Sequence, residues 1–152
     1  MTSPHPDYFS PAYRSTTTRA PAQPLLTLPA AGDLPRVPTA APEAWLPQDA
    51  DLTRQSSAPP LGERIVVSGR VLDAQGRPVR RSLVELWQCN AAGRYHHAKD
   101  RHEAPLDPHF LGWGKTLTDD DGWYRFMSIK PGAYPWGNHS NAWRPAHIHF
   151  SL

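Results

Sequence analysis

The chain has 152 residues, the length of one domain, and its formal net charge of +2 is too small to predict a nucleic-acid partner. The single cysteine, Cys89, excludes a disulfide framework, and no apolar run approaches the ~20 residues of a membrane span. The first residues lack the basic and apolar regions of a secretory signal, so we expect a cytoplasmic protein.

Proline is concentrated in the first part of the chain: 12 of the 18 prolines lie within residues 1–60. Each proline removes a backbone donor and fixes φ, so this stretch is unsuited to a regular core. We predict an extended N-terminal arm over residues 1–60 and a folded domain over residues 61–152. Apolar pieces at 25–28 and 45–46 would pack on the body or on a partner chain, and a disordered tail is the alternative.

From residue 63 onward the sequence predicts short β-strands separated by turns. Strands are expected at 65–72, 82–87, 115–118, 123–129 and 147–152. We predict that the third and fourth form a hairpin, whose turn needs a positive φ that Gly122 can supply. Val84 and Leu86 should share the core face of the second strand. No stretch has a helical period, so the predicted fold class is all-β, an antiparallel β-sandwich.

Residues 93–114 do not fit a strand, because the stretch is long, polar and rich in histidine and aromatic residues. Loops of this length are uncommon inside compact domains and are often functional. We therefore expect this loop to contribute to a binding or catalytic site.

His147 and His149 give the sharpest indication of chemistry. Side chains at i and i+2 of a strand point to the same face, with Cα atoms roughly 6.5–7 Å apart, so two imidazoles can converge on one metal ion. The other face of the strand, with Ile148, Phe150 and Leu152, is apolar and can pack on the core. The alternative is a chance surface pair, because this spacing alone is a weak indication of metal binding.

Two tyrosines extend the candidate metal site. Tyr134 follows a Pro-Gly turn, and Tyr95 lies in the 93–114 loop. A tyrosine binds metal as a phenolate, and with an ordinary pKa near 10 it is ionised at neutral pH only beside a strongly charged, hard cation. Two histidines and two tyrosines therefore favour ferric iron over zinc or copper. The alternatives are a structural corner for Tyr134 and an ordinary loop aromatic for Tyr95.

Four runs resemble the intradiol ring-cleaving dioxygenases and occur in the order of that family. They are LVELWQCNAAGRY at 83–95, APLDPHF at 104–110, IKPGAYPW at 129–136 and WRPAHIHF at 143–150. The resemblance is strong over residues 62–152 and weak over the arm. Within the family, the runs are most similar to the beta chains of the protocatechuate 3,4-dioxygenase branch.

The resemblance implies a β-sandwich that holds one non-haem ferric ion, Fe(3+). Carried over residue by residue, the family's ligands fall on Tyr95, Tyr134, His147 and His149, with Tyr134 and His149 axial and a hydroxide completing the site. Tyr134 is expected to be the ligand that leaves when substrate binds. Arg144 matches an arginine beside the substrate, where its permanent charge would stabilise negative charge on the ring. A salt bridge is the alternative for Arg144.

The resemblance also suggests the walls of a substrate pocket. Tyr13 is similar to an arm residue that reaches the substrate in the family. Trp87, Trp136 and Gln88 are candidates for the pocket wall, and core packing is the alternative for the tryptophans. Five further histidines match no ligand position: His96, His97, His102, His109 and His139.

The implied reaction is the cleavage of protocatechuate by O2 between its two hydroxyl-bearing carbons, a step of aromatic catabolism in the β-ketoadipate pathway. The product would be 3-carboxy-cis,cis-muconate. The implied partner is a related alpha chain, with the arm in the interface. The sequence shows no Gly-rich phosphate loop, so we expect no nucleotide cofactor.

Two other functions account for part of the same sequence pattern. Catechol and hydroxyquinol 1,2-dioxygenases are similar around the ligands, but they begin with a helical dimerisation segment that the proline-rich arm disfavours. A non-enzymatic transthyretin-like module accounts for the strands and turns at 69–79 and 118–126. It gives no reason for the Arg-Pro-Ala-His-x-His and Gly-Arg-Tyr motifs.

The family continues for several strands beyond the position of Leu152. The resemblance therefore implies that residues 1–152 alone form a sandwich that is incomplete at the C-terminus, and an incomplete enzyme.

Overall fold

A computed structural model describes residues 7–24, 26 and 47–152, and it divides the chain into two units. The first unit contains Met1–Pro38 and Trp136–Ala142, and the second contains Thr39–Pro135 and Trp143–Leu152. The apolar arm pieces at 25–28 and 45–46 lie outside the described residues, except for Leu26, whose side chain is exposed. Across the described ranges, no helix is long and apolar enough to cross a membrane.

The described residues of the first unit include a short helix, α1, at Thr16–Arg19. Its side chains reach the 136–142 segment. Thr18 Oγ1 donates a hydrogen bond to Asn138 Oδ1 over 2.6 Å, and the Arg19 guanidinium lies 4.7 Å from the ring centroid of Trp136. This part of the arm is thus held by a hydrogen bond and a cation–π contact.

The second unit, over residues 47–135 and 143–152, is built from short antiparallel strands and a 3-10 turn at Pro47–Ala50. The strands are β1 (Arg64–Arg70), β2 (Leu83–Trp87), β3 (Trp113–Leu117), β4 (Trp123–Ile129), β5 (Tyr134–Pro135), β6 (Trp143–Arg144) and β7 (His149–Ser151). Three sheets result, with the strand orders β1-β4, β3-β2-β7 and β5-β6.

The hydrophobic core of this unit lies between the β1-β4 pair and the sheet that contains β2. Val84 and Leu86 of β2 are completely or almost completely buried on one face, as predicted. They pack with Phe126 and Ile129 of β4, which are fully buried. The fold is an antiparallel β-sandwich, and the predicted fold class is confirmed.

Leu52 also belongs to this core, although the predicted arm includes it. Its side chain is fully buried, and its backbone N–H donates to the carbonyl of Met127 over 2.9 Å. The 47–60 segment thus contributes at least one core residue to the second unit, while the domain boundary at residue 60 stays a prediction.

The predicted hairpin between β3 and β4 is wrong. β3 pairs with β2 and β4 pairs with β1, so the turn at 119–122 carries the chain from one sheet to the other. The end of β3 is held on its own sheet because Thr118 Oγ1 donates to the Val79 carbonyl over 2.7 Å and accepts the Ser82 N–H over 2.9 Å. Gly122 has φ +81°, the positive φ that the turn was predicted to need.

The last strand is shorter than the predicted 147–152. β7 pairs with β2 in a register that places His149 opposite Trp87 and ends at Ser151. Ile148 packs against the core as predicted, whereas Leu152 lies beyond the paired residues and is 68% exposed. The prediction that Leu152 packs on the core is therefore wrong.

We predict that Gly122→Ala destabilises the fold more than Gly76→Ala. Both glycines have a positive φ, +81° and +76°. A Cβ at Gly122 would lie 2.6 Å from the Val71 carbonyl oxygen, but a Cβ at Gly76 meets nothing within 4 Å. The backbone conformation alone costs about 1 kcal/mol, and the clash at Gly122 adds about 1–3 kcal/mol.

Urea unfolding of the two variants beside the wild-type protein measures this difference. The Gly76→Ala variant is the matched control, because it changes the backbone preference and leaves the packing unchanged. Equal losses of unfolding free energy in the two variants would contradict the packing role of Gly122.

Candidate metal centre

The pairing of β7 with β2 fixes the position of His149. The register places His149 opposite Trp87, and the imidazole and indole rings stack with centroids 5.0 Å apart and planes 2° from parallel. The Trp87 side chain remains 40% exposed, so it covers one side of the imidazole and still faces solvent. This geometry restricts the orientation of the His149 ring.

His147 lies just before β7, and its ring is oriented by a different contact. Its Nδ1 is 2.6 Å from the carbonyl oxygen of Pro145. A carbonyl only accepts hydrogen bonds, so Nδ1 carries the proton and the lone pair of Nε2 is available. The His147 and His149 ring centroids are 4.9 Å apart. The two imidazoles therefore converge as predicted, although only His149 belongs to the strand.

Tyr134 approaches the pair from the short β5-β6 sheet. It is paired with Arg144 in the register of that sheet, and Arg144 Nη1 donates to the Tyr134 hydroxyl over 3.0 Å. The same hydroxyl lies 3.3 Å from His147 Nε2. The Tyr134 oxygen thus accepts from a permanent cation and faces an imidazole nitrogen.

Tyr95 completes the cluster from the turn that follows β2. Its ring centroid is 5.4 Å from that of Tyr134, at an interplanar angle of 79°. Its backbone N–H donates to Asp100 Oδ2 over 2.7 Å, which fixes the start of the loop. Tyr95, Tyr134, His147 and His149 therefore gather in the second unit beside Arg144.

The surroundings of the cluster favour neutral donor groups. Burial, reinforced by the hydrogen bond and charge of Tyr134, raises the pKa of Tyr95 above its ordinary value. Burial, reinforced by His147 and Arg144, lowers the pKa of His149. Neutral imidazole is the form that binds metal, and a phenol ionises here only when a strong cation is beside it.

This donor set fits ferric iron. Two imidazole nitrogens and two phenol oxygens belong to rings whose neighbouring centroids are 4.9–5.4 Å apart, and the phenolate oxygen is a hard ligand suited to a trivalent ion. Among the described residues, no group of three or more His, Cys, Asp and Glu side chains could hold a metal. A centre at this cluster would therefore depend on its tyrosines.

The other predicted pocket residues fall in different places. Tyr13 and Trp136 belong to the first unit, where the Arg19 guanidinium lies 5.7 Å and 4.7 Å from their ring centroids. The structure brings these two residues together, and their role in substrate binding stays a prediction.

Gln88 is not a wall of the pocket. Its side chain is 1% exposed, its Nε2 donates to the Ile129 carbonyl over 2.7 Å, and its Oε1 accepts from Ser128 Oγ over 2.8 Å. It ties the end of β2 to β4 inside the core. The buried amide satisfies the Ile129 carbonyl and the Ser128 hydroxyl of β4. The sequence position of Gln88 beside Trp87 gave no indication of that.

The loop after Tyr95 lines an open cavity of about 630 Å³. The lining is mostly polar, and Tyr95 forms part of it together with His96, Asp100 and His102. The long 93–114 loop thus provides a cavity that reaches one member of the donor cluster.

Sequence reasoning missed Asn90, which is 4% exposed at the base of the Tyr95 turn. Its side-chain oxygen accepts the backbone N–H groups of Ala92 and Arg94. An asparagine just before a glycine-containing turn is a known pattern of such side-chain-to-backbone bonds, and that pattern could have indicated it.

Two family profiles match the chain. One, described as Dioxygenase, matches residues 38–152. The other, described as Protocatechuate 3,4-dioxygenase beta subunit N terminal, matches residues 2–31.

Individual relatives agree with these profiles. The protocatechuate 3,4-dioxygenase beta chain of Burkholderia cepacia is 57% identical over 150 residues, which cover 97% of this chain and 64% of that protein. The protocatechuate 3,4-dioxygenase alpha chain of Pseudomonas putida is 33% identical over 128 residues, covering 84% of this chain and 55% of that protein. The 3-chlorocatechol 1,2-dioxygenase of Rhodococcus opacus 1CP matches in structure with a TM-score of 0.55 and 28% identity, covering 74% of this chain and 47% of that one. The chain thus spans between 47% and 64% of the length of these three relatives.

We predict that Tyr95 and His149 together contribute most to the stability of the metal-free protein between about pH 6.5 and pH 10. The folded-state pKa of Tyr95 lies above that of an unfolded tyrosine, so its contribution is complete below about pH 10 and is lost as the pH rises. The folded-state pKa of His149 lies below that of an unfolded histidine, so its contribution is complete above about pH 6.5 and is lost as the pH falls.

Urea midpoints of chelator-treated protein from pH 5 to pH 11 measure the loss of stability at both ends of the range, the acidic limb and the alkaline limb. Tyr95→Phe should flatten the alkaline limb and His149→Gln the acidic one, with Tyr124→Phe as the control tyrosine outside the cluster. Unchanged slopes in both site variants would refute the assignment.

Proposed function

The chain belongs to the intradiol ring-cleaving dioxygenase family, and on that premise we propose that it forms the iron-binding part of an enzyme that cleaves protocatechuate with O2. The bond broken would join the two hydroxyl-bearing carbons, and the product would be 3-carboxy-cis,cis-muconate. The observation that carries this proposal is the convergence of two tyrosine and two histidine side chains beside Arg144.

In this proposal Tyr95, Tyr134, His147 and His149 hold a ferric ion. The ion, when bound, supplies a Lewis acid and a template for a chelating catechol. The contact of His147 Nδ1 with the Pro145 carbonyl supports the proposal, because it presents Nε2 as the ligating nitrogen. The stacking of Trp87 on His149 supports it as well, because a restricted ring loses less freedom on binding a metal.

Tyr134 and Tyr95 would have different roles. The Tyr134 hydroxyl accepts from Arg144 Nη1 and lies 3.3 Å from His147 Nε2, so two polar groups can stabilise it when it is not a ligand. We assign to Tyr134 the uptake of a proton from the incoming catechol, at its hydroxyl oxygen. Tyr95, whose loop is fixed by Asp100, would stay in place as the permanent phenolate.

Arg144 would act on the substrate as a fixed positive charge. Its guanidinium is ionised at every relevant pH, and its Nη1 is already within hydrogen-bond distance of the Tyr134 oxygen. Negative charge that builds on a bound catechol ring beside Tyr134 would be stabilised by it. Trp87 would form one wall of the pocket.

Protocatechuate is favoured over catechol or hydroxyquinol because of the N-terminal match. The profile that matches residues 2–31 is that of a protocatechuate 3,4-dioxygenase beta subunit, and the relative from Burkholderia cepacia is such a beta chain. Catechol-type substrates stay the second candidate, since the structural relative from Rhodococcus opacus acts on 3-chlorocatechol. Parallel oxygen-uptake assays with protocatechuate, catechol and hydroxyquinol separate the two.

An alpha chain is the proposed partner. The chain is similar to a beta chain over 97% of its length and to an alpha chain over 84%, which is the relationship expected of paired, homologous subunits. We propose a hetero-oligomer in which the arm lies in the interface.

We predict that Tyr95→Phe lowers ferric iron affinity by about 100-fold or more, since changes around metal ligands already cost 10–100-fold. Tyr134→Phe should retain part of the iron and lose turnover of protocatechuate, because the proton acceptor is gone. Tyr124→Phe is the matched control and should change neither, since Tyr124 packs against Phe126 in β4.

Elemental analysis, chelator competition and visible phenolate-to-iron absorption measure these effects. Equal iron loss in Tyr95→Phe and Tyr134→Phe would argue against distinct roles. A folded, colourless wild-type protein that contains zinc and no iron would overturn the proposed function.

We predict that deletion of residues 1–20 weakens association with the alpha chain and leaves iron binding in place. The deletion removes α1 and the Thr18–Asn138 hydrogen bond of the first unit, whereas all four candidate ligands belong to the second unit. Sedimentation of the mixed subunits and iron content are the two measurements. Unchanged assembly together with unchanged protocatechuate turnover would refute the role of the arm.

A further inference from the structure

The Asn90 side chain closes the turn that leads to Tyr95. Its Oδ1 accepts the backbone N–H of Ala92 over 3.0 Å and that of Arg94 over 2.9 Å. These two residues flank Gly93, which has φ +82°. The side chain is therefore bonded to both sides of the residue at which the backbone reverses.

The amide of Asn90 also ties this turn to the far end of the loop. Its Nδ2 donates to the Pro105 carbonyl over 3.0 Å, and a parallel bond runs from Arg94 Nη1 to the Ala104 carbonyl. These partners fix the orientation of the Asn90 amide. The N–H groups of Ala92 and Arg94 require its oxygen as acceptor, and the Pro105 carbonyl requires its nitrogen as donor.

The backbone of Asn90 reaches the second tyrosine turn. Its carbonyl accepts the N–H of Gly93 and the N–H of Gly132, both over 3.0 Å. Gly132 lies two residues before Tyr134, and a Cβ there would be 2.5 Å from the Ala91 carbonyl oxygen. The two turns are thus in direct backbone contact, and Asn90 bonds to both.

We propose that Asn90 is a positioning residue that sets the placement of Tyr95 relative to Tyr134. Its side-chain hydrogen bonds go to backbone groups, so it acts through the backbone of the two turns. Its effect on metal binding rests on the proposed function, whereas its effect on the turns does not.

Asp107 serves as a control for Asn90, because its buried side chain also bonds to backbone groups but lies outside the two tyrosine turns. Asp107 is 6% exposed, and its carboxylate accepts two backbone N–H groups, from Leu61 over 2.7 Å and from His109 over 2.8 Å. Replacement of either Asn90 or Asp107 by alanine leaves two backbone N–H groups without their acceptor. Only the Asn90 side chain has its partners in the Tyr95 turn, at Ala92 and Arg94, and the backbone carbonyl of Asn90 in that same turn accepts the Gly132 N–H of the Tyr134 turn.

The test uses Asn90→Ala, Asn90→Asp and Asp107→Ala in the full chain. Amide hydrogen exchange of the chelator-treated protein reports on the turns at 90–95 and 131–134, and chelator competition reports on ferric iron affinity. Both alanine variants should lower the melting temperature. Only Asn90→Ala should accelerate exchange in both turns and weaken iron binding by about tenfold or more.

Compared with Asn90→Ala, Asn90→Asp should recover most of the protection from amide hydrogen exchange. Its carboxylate still accepts the N–H groups of Ala92 and Arg94. Acceleration of exchange in the 90–95 turn alone would overturn the proposal, as would unchanged iron affinity in Asn90→Ala beside an iron-binding wild type. A wild-type protein that binds no iron would refute the proposed function. Exchange at 131–134 would then still decide whether Asn90 holds the turns together.

Discussion

The candidate site depends on one close approach of two backbone turns, at Gly93 and Gly132. A side chain at Gly93 would collide with the Ala133 carbonyl, and one at Gly132 would collide with the Ala91 carbonyl and the Gly93 nitrogen. Since neither residue has a Cβ, the turns can touch. The Tyr95 and Tyr134 rings, 39 positions apart in sequence, are thereby brought to a centroid distance of 5.4 Å.

β2 connects the hydrophobic core to this contact between the two turns. Val84 and Leu86 anchor the strand in the core, and Trp87 at its end pairs with His149. The chain then runs through the buried Gln88 and Cys89 to Asn90. One strand therefore positions a histidine through its sheet register and a tyrosine through the turn that follows it, which is why the proposed ligands can be preorganised without a helix.

Local features were predictable from the sequence, and features set by distant partners were not. The strands β1, β2 and β4, the positive φ of Gly122 and the convergence of His147 and His149 follow from residue type and period. The β3-β4 hairpin failed because bonds of Thr118 to Val79 and Ser82 decide which sheet β3 joins. Asn90 combines both kinds of feature: its bonds to Ala92 and Arg94 follow a local turn pattern, whereas its bonds to Pro105 and Gly132 depend on residues distant in sequence.

Charge balance explains why a permanent cation can lie beside a proposed metal site. Arg144 donates to the Tyr134 oxygen, and a positive charge there would oppose the binding of a cation if the donors stayed neutral. Two phenolates would offset two of the three charges of a ferric ion. A catechol that gives one proton to Tyr134 and the other to the hydroxide of the implied site would bind as a dianion, and Tyr95 would then be the phenolate that offsets the third charge. Arg144 would next face an electron-rich ring, so the charge that hinders an empty site would favour the substrate complex.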